Sequence, residues 1–162
     1  MLKGATIDST GQYRYKLWRV WDSEAPRVVF VMLNPSTADA LVDDPTIRRC
    51  IGFAQTWGCG ALEVLNLFAY RATSPHILST VADPVGSDND AHLLETRQKA
   101  GHIVLAWGNR GALLGRNQTV LKQLVNVDNV YCLGLTAGGH PCHPLYLKAH
   151  TKPVPYREII KL

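Results

Sequence analysis

Residues 27 to 39 read RVVFVMLNPSTAD, an apolar run that stops abruptly at an Asn-Pro-Ser turn. From Val28 to Leu33 every side chain is apolar, and the first half of the run is β-branched or aromatic. A strand with one wet face alternates apolar and polar residues, so an unbroken run points to a strand covered on both faces. The segment is therefore expected as a central strand. Pro35 has no N–H to give to a ladder and biases Asn34 towards an extended backbone, so pairing should end with Asn34 at the strand's carboxyl end. In open parallel α/β sheets, ligands bind at that end.

A chain of 162 residues, 46% of them hydrophobic, has the size of one domain with its own core. No linker composition divides it, so a single domain over residues 1–162 is expected. No apolar run is long enough to span a bilayer, and Met1 to Gln12 lacks the apolar centre of a signal peptide, so the expected setting is cytoplasmic and away from membranes. Cys50, Cys59, Cys132 and Cys142 show no close pair spacing, which suggests free thiols rather than disulfides. The formal charge of +4 permits contact with phosphates, but it is spread along the chain without a long basic run.

Tyr13 to Asp22, YRYKLWRVWD, interleaves aromatics with Arg14, Lys16 and Arg19, and its partial alternation predicts a half-exposed strand. That strand can cap the sheet edge or form a hairpin with Arg27 onward through Ser23 to Pro26. Asp44 is placed to cap a helix with Pro45 at its first position, and Ile47, Cys50, Ile51 and Ala54 recur at helical spacing until Gly58 ends it. Arg48 and Arg49 stand on its first turns, where Asp43, Asp44 or a bound phosphate can offset the macrodipole. A second strand is expected over Ala61 to Phe68, a long loop over Ala69 to Gly86, a helix over about Asp88 to Ala100 and a third strand over His102 to Trp107. Gly108, Asn109, Arg110 and Gly111 then turn into a helix reaching about Val125, with Asn109 as its cap and its free amides open to an anion. The fourth strand, Asn129 to Leu135, leads into TAGGHPCHPLYLKAH. Strands alternating with helices predict a three-layer α/β/α fold with a four-stranded parallel core sheet and an added N-terminal strand or hairpin.

In such a sheet Asn34, Asn66 and His140 converge at one edge. A carboxamide carries a donor and an acceptor and can read a pyrimidine edge bidentately, while a His can hydrogen-bond an oxygen on which charge develops. The order and setting of these residues resemble the uracil-DNA glycosylase superfamily. Met32-Leu33-Asn34-Pro35-Ser36 resembles its Gly-x-Asn-Pro-Gly motif, with Met32 and Ser36 standing where that pattern has glycine. Val64-Leu65-Asn66 resembles the strand whose terminal Asn reads the flipped base, Leu105 to Asn109 resembles a later strand ending in Leu-Trp-Gly-Ser, and Gly139 to Leu145 resembles the final His-Pro-Ser-Pro motif. The particular combination of LNPSTAD, DDPTIRRC and GHPCHPLYL is also similar to a bacterial and phage family with no assigned activity.

The resemblance implies a DNA glycosylase-like protein that flips a damaged or modified base out of DNA and hydrolyses or recognises its N-glycosidic bond. Asn34 would orient the attacking water, Asn66 would read the base, and His140 would stabilise charge on the departing base. His143 is the alternative occupant of that last place, because the His-Pro motif carries one extra residue. Pro35, Ser36 and Asn109 would line the site, Leu145 or Tyr146 would wedge into the helix, and Phe68, Tyr70 or Trp57 would stack on the base. No cofactor or metal is implied. Two further readings stand beside this one. Asp44-Pro45-Thr46 with Arg48 and Arg49 can hold a nucleotide phosphate at a helix start, as a free-mononucleotide or modified-nucleoside enzyme would require, and Arg110 is a further phosphate-binding candidate. A catalytically silent nucleic-acid-binding protein of the same fold is the other. His140, Cys142 and His143 with Cys132 lack the second close ligand pair of a zinc site.

Overall fold

In the computed structural model, which describes residues 1–157, strand β3 (Arg27–Met32) lies mid-sheet and is buried on both faces after Arg27. Its neighbours are β4 (Ala61–Asn66), buried at every position, and β5 (His102–Leu105), both parallel to it. Strand β6 (Val130–Cys132) extends the parallel set beyond β5. Strand β2 (Arg14–Val20) adds antiparallel to β4, β1 (Leu2–Ile7) adds antiparallel to β2, and β7 (Val154–Pro155) adds antiparallel to β6. The fold is thus mixed α/β around a seven-stranded sheet in the order β1-β2-β4-β3-β5-β6-β7. Residues 158–162 of the expected domain lie outside the described residues.

Side chains along β3 alternate between two cores. Val28, Phe30 and Met32 pack with Ile47, Cys50 and Phe53 of helix α1 (Pro45–Thr56), whereas Val29 and Val31 pack on the opposite face. That second face is covered by Leu93 of helix α2 (Asn89–Lys99) and Val120 of helix α3 (Arg116–Gln123). Both edges of β3 are occupied by parallel partners. This is why β2 forms no hairpin with Arg27 onward and instead pairs two places away, on the far side of β4. Nor does β2 form the sheet edge, because β1 covers it.

The expected helix from Gly108 to Val125 is broken. Asn109–Gly115 is a 3-10 segment interrupted at Leu113 and Leu114, the latter at φ +53°, and α3 begins only at Arg116. Two contacts account for the break. Gly111 lies against the Trp107 ring, where a Cβ would come within 2.1 Å, and buried Arg116 donates to Leu67 O and Asp90 Oδ1, both at 2.9 Å. Asn109 does not cap a helix; its Oδ1 accepts from Thr136 Oγ1 at 2.6 Å, joining the loops that follow β5 and β6. Strand four is shorter than expected, but Leu135 is bridged to Pro141 in a tight turn. All four cysteines are free. Among the described residues no helix is long and apolar enough to cross a membrane.

Candidate functional site

The strand order fixes where a ligand can enter. From β3 the chain leaves through α1 on one face, and from β5 it leaves through α3 on the other. Loops that diverge in this way open a crevice at the carboxyl ends of β3 and β5, the switch point at which open α/β sheets bind ligands. A cavity of about 130 Å3 lies there, lined by Asn34, Ser36, Asp44, Trp107 and His143 and by one residue from outside the parallel core, Arg14.

Asn34 enters the pocket from the end of β3. Its Nδ2 donates to Pro35 O at 3.0 Å and Ala72 O at 2.9 Å, which orients the carboxamide and leaves Oδ1 as its remaining acceptor. Pro35 and Ser36 line the same wall. Asp44 caps α1 as expected: Oδ1 accepts from Ile47 N at 2.8 Å, and Oδ2 accepts from Ala38 N at 3.3 Å. Replacing Asp44 with alanine should cost about 0.5–2 kcal/mol, the range for a lost N-cap, measured as a lowered urea midpoint with unchanged slope. An unchanged midpoint would mean that the cap contributes nothing here.

His143 reaches the pocket from the loop after β6. Its Nδ1 accepts from Leu145 N at 3.2 Å, so the proton of the neutral ring sits on Nε2. Burial pushes the imidazole below its ordinary value of 6.5, against an opposing pull from Asp44. At neutral pH His143 is therefore an uncharged donor with a fixed tautomer. His140 sits in the Thr136–Pro141 turn, where its N–H donates to Thr136 Oγ1 at 3.2 Å, and it does not line the cavity.

Asn66 is buried beside Met32 at the end of β4. Alternation places it with Leu62 and Val64 on the face covered by α1, and both polar atoms of its side chain lack a hydrogen-bond partner. Its backbone carbonyl accepts from Asn89 Nδ2 at 3.0 Å. The phosphate candidates lie elsewhere: Arg48 Nη1 donates to Asp43 O, Arg49 stacks 4.9 Å from the centre of the Phe53 ring, and Arg110 is exposed. Leu145 and Tyr146 stand on a 3-10 turn that packs on α1, with Tyr146 90% exposed. Among the aromatics, Phe68 is fully buried and Trp57 packs against Phe53 and Phe30 at the C-terminal end of α1. Trp107, not one of the stacking candidates, provides the pocket's aromatic wall.

Arg14 was hidden in the sequence by its setting among alternating aromatics. A register shift where β1 meets β2 leaves Tyr15 as an extra residue, so that Arg14 falls on the face of Leu17 and Arg19. It is 2% exposed, and burial pulls its guanidinium down to about 10, still charged at neutral pH.

This is an α/β protein with a polar pocket at its topological switch point, combining a fixed carboxamide, a neutral imidazole and a buried cation. The family model described as "Protein of unknown function (DUF1643)" matches residues 14–145, and the chain belongs to that family. The matched span runs from Arg14 past His143 and so contains every polar pocket residue described above. No curated protein and no solved structure matches the chain.

Proposed function

We propose that the chain is a DNA glycosylase-like protein that hydrolyses or recognises the N-glycosidic bond of a damaged or modified base, with a fold of the uracil-DNA glycosylase type. The observation that carries this reading is the meeting of Asn34 and His143 in one pocket at the carboxyl ends of the parallel strands. An N-glycosidic bond breaks through an oxocarbenium-like state, so the main demand is to stabilise the departing base. A neutral Nε2–H donor does this without a proton transfer, and an amide acceptor such as Asn34 Oδ1 can position water without deprotonating it. In this reading His143 takes the role that the motif alone first suggested for His140. Asn66 is sealed from solvent and is not among the residues lining the cavity, so in this reading Asn34 and His143 meet the base. Exposed Tyr146, on the same turn as Leu145, is the residue best placed to enter a duplex.

The test is an abasic-site assay on oligonucleotides carrying uracil, hydroxymethyluracil and other modified bases, followed by alkali. Wild type should give strand breaks, and His143→Ala should slow them by about 100-fold or more, as expected for loss of one oxyanion donor. His140→Ala should leave the rate within a few-fold of wild type. Because His143 titrates below 6.5, the rate should be flat from that pH upward and fall only as the imidazole protonates. Breaks that survive His143→Ala, or folded protein that neither cleaves any of the oligonucleotides nor binds them more tightly than the unmodified sequence, would overturn the reading.

A further inference from the structure

Arg14 is buried without a counter-charge in contact. Its only side-chain hydrogen bond among the described residues is from Nη1 to Ala38 O at 3.1 Å, and Nε is buried with no partner. The ion pairs of the described residues leave Arg14 out, so no described carboxylate lies within 4 Å of it. Asp44, the acid lining the same pocket, already accepts two backbone N–H groups. Arg71 adds a second cation near the rim, where its Nε donates to Ser36 O at 3.4 Å.

A buried guanidinium with open donors is costly unless something arrives to accept from it. The surroundings point to the chemistry of that partner. Thr46, in the first turn of the twelve-residue helix α1, and Ser36 line the pocket and offer hydroxyls, and His143 offers Nε2–H. The lining is therefore rich in donors around one cation. We propose that Arg14 is the floor of an oxyanion site, at which a ligand oxygen carrying full or developing negative charge rests against the guanidinium. This rests on the pocket being the functional site. It adds that the ligand is an oxygen-bearing anion: a phosphoryl group, or the carbonyl oxygen of a base that departs as an anion. A purely apolar ligand would leave the guanidinium without an acceptor.

The experiment follows the Arg14 Nε–H resonance of the intact wild-type chain by NMR, titrated separately with inorganic phosphate and with uracil at constant ionic strength, with chloride as control. Movement with phosphate alone supports the site and identifies a phosphoryl ligand. Movement with uracil supports the site and identifies the base. In parallel, Arg14→Gln should weaken binding of the effective probe by about tenfold or more, as for a lost charge-assisted hydrogen bond, and Arg14→Lys by less. If neither probe moves the resonance, or if a folded Arg14→Gln binds unchanged, the oxyanion site is overturned. The wild-type titration decides the matter even where the variant fails to fold. An unmoved resonance alongside His143-dependent strand breaks would remove this inference and leave the glycosylase reading intact.

Discussion

Arg19→Ala is expected to lower the free energy of unfolding by about 3–5 kcal/mol, the range for removing one partner of a buried ion pair. Arg19 is fully buried on β2, and its Nε meets Asp43 Oδ1 at 2.8 Å. The two terminal nitrogens bind backbone carbonyls, among them Gly4 O at 3.3 Å, Ala40 O at 3.2 Å and Asp39 O at 2.8 Å. One guanidinium thus ties the loop before α1 to the sheet. Its loss strands several carbonyls, and Lys3, 3.4 Å from Asp43 and partly exposed, cannot replace it. Urea denaturation measures the effect. A loss below about 1 kcal/mol, the scale of an exposed pair, would show that the loop holds itself through Asp39, whose Oδ1 accepts from Leu41 N and Val42 N.

A loss of similar size, about 3–5 kcal/mol, is expected for Phe30→Ala through the cavity left in the core. Phe30 has no exposed surface, and its ring stacks on Trp57 at 5.9 Å, which in turn stacks on Phe53 at 5.5 Å. These rings seat the C-terminal half of α1 on β3, and Trp57 is anchored further by its Nε1 donating to Thr151 O at 3.0 Å. Removing Phe30 should lower the denaturation midpoint and redshift Trp57 emission as water reaches the indole. If the unfolding free energy falls by less than about 1 kcal/mol, the neighbouring rings have collapsed into the space.

The parallel strands and α1 were legible because burial imposes a pattern that local sequence carries: continuous apolar runs for β3 and β4, and Asp44-Pro45 with helical spacing for α1. The break before α3 was not legible. It depends on Gly111 lying under Trp107 and on Arg116 reaching Leu67 O, neither of which leaves a local signal. Half of the site was visible, since Asn34, Pro35, Ser36 and His143 belong to motifs at strand ends. Arg14 was not, because its direction is set by a single extra residue in β2, and a one-residue slip sends a side chain to the opposite face. Alternation read from Tyr13 onward gives no sign of that shift. The neutral tautomer of His143 likewise required knowledge of where Leu145 N points.

The pocket draws its walls from residues 14, 34, 44, 107 and 143, spread along most of the chain. No hairpin or single βαβ unit holds more than a part of it. Closing so many long loops is entropically slow, and parallel pairing such as β3 with β5 spans more than seventy residues. Ligand competence therefore requires β2, the central strands and the loop after β6 to be in register together. A partly folded chain that already has its helices and most of its sheet has no working pocket, so binding at this site reports on completion of the native topology itself.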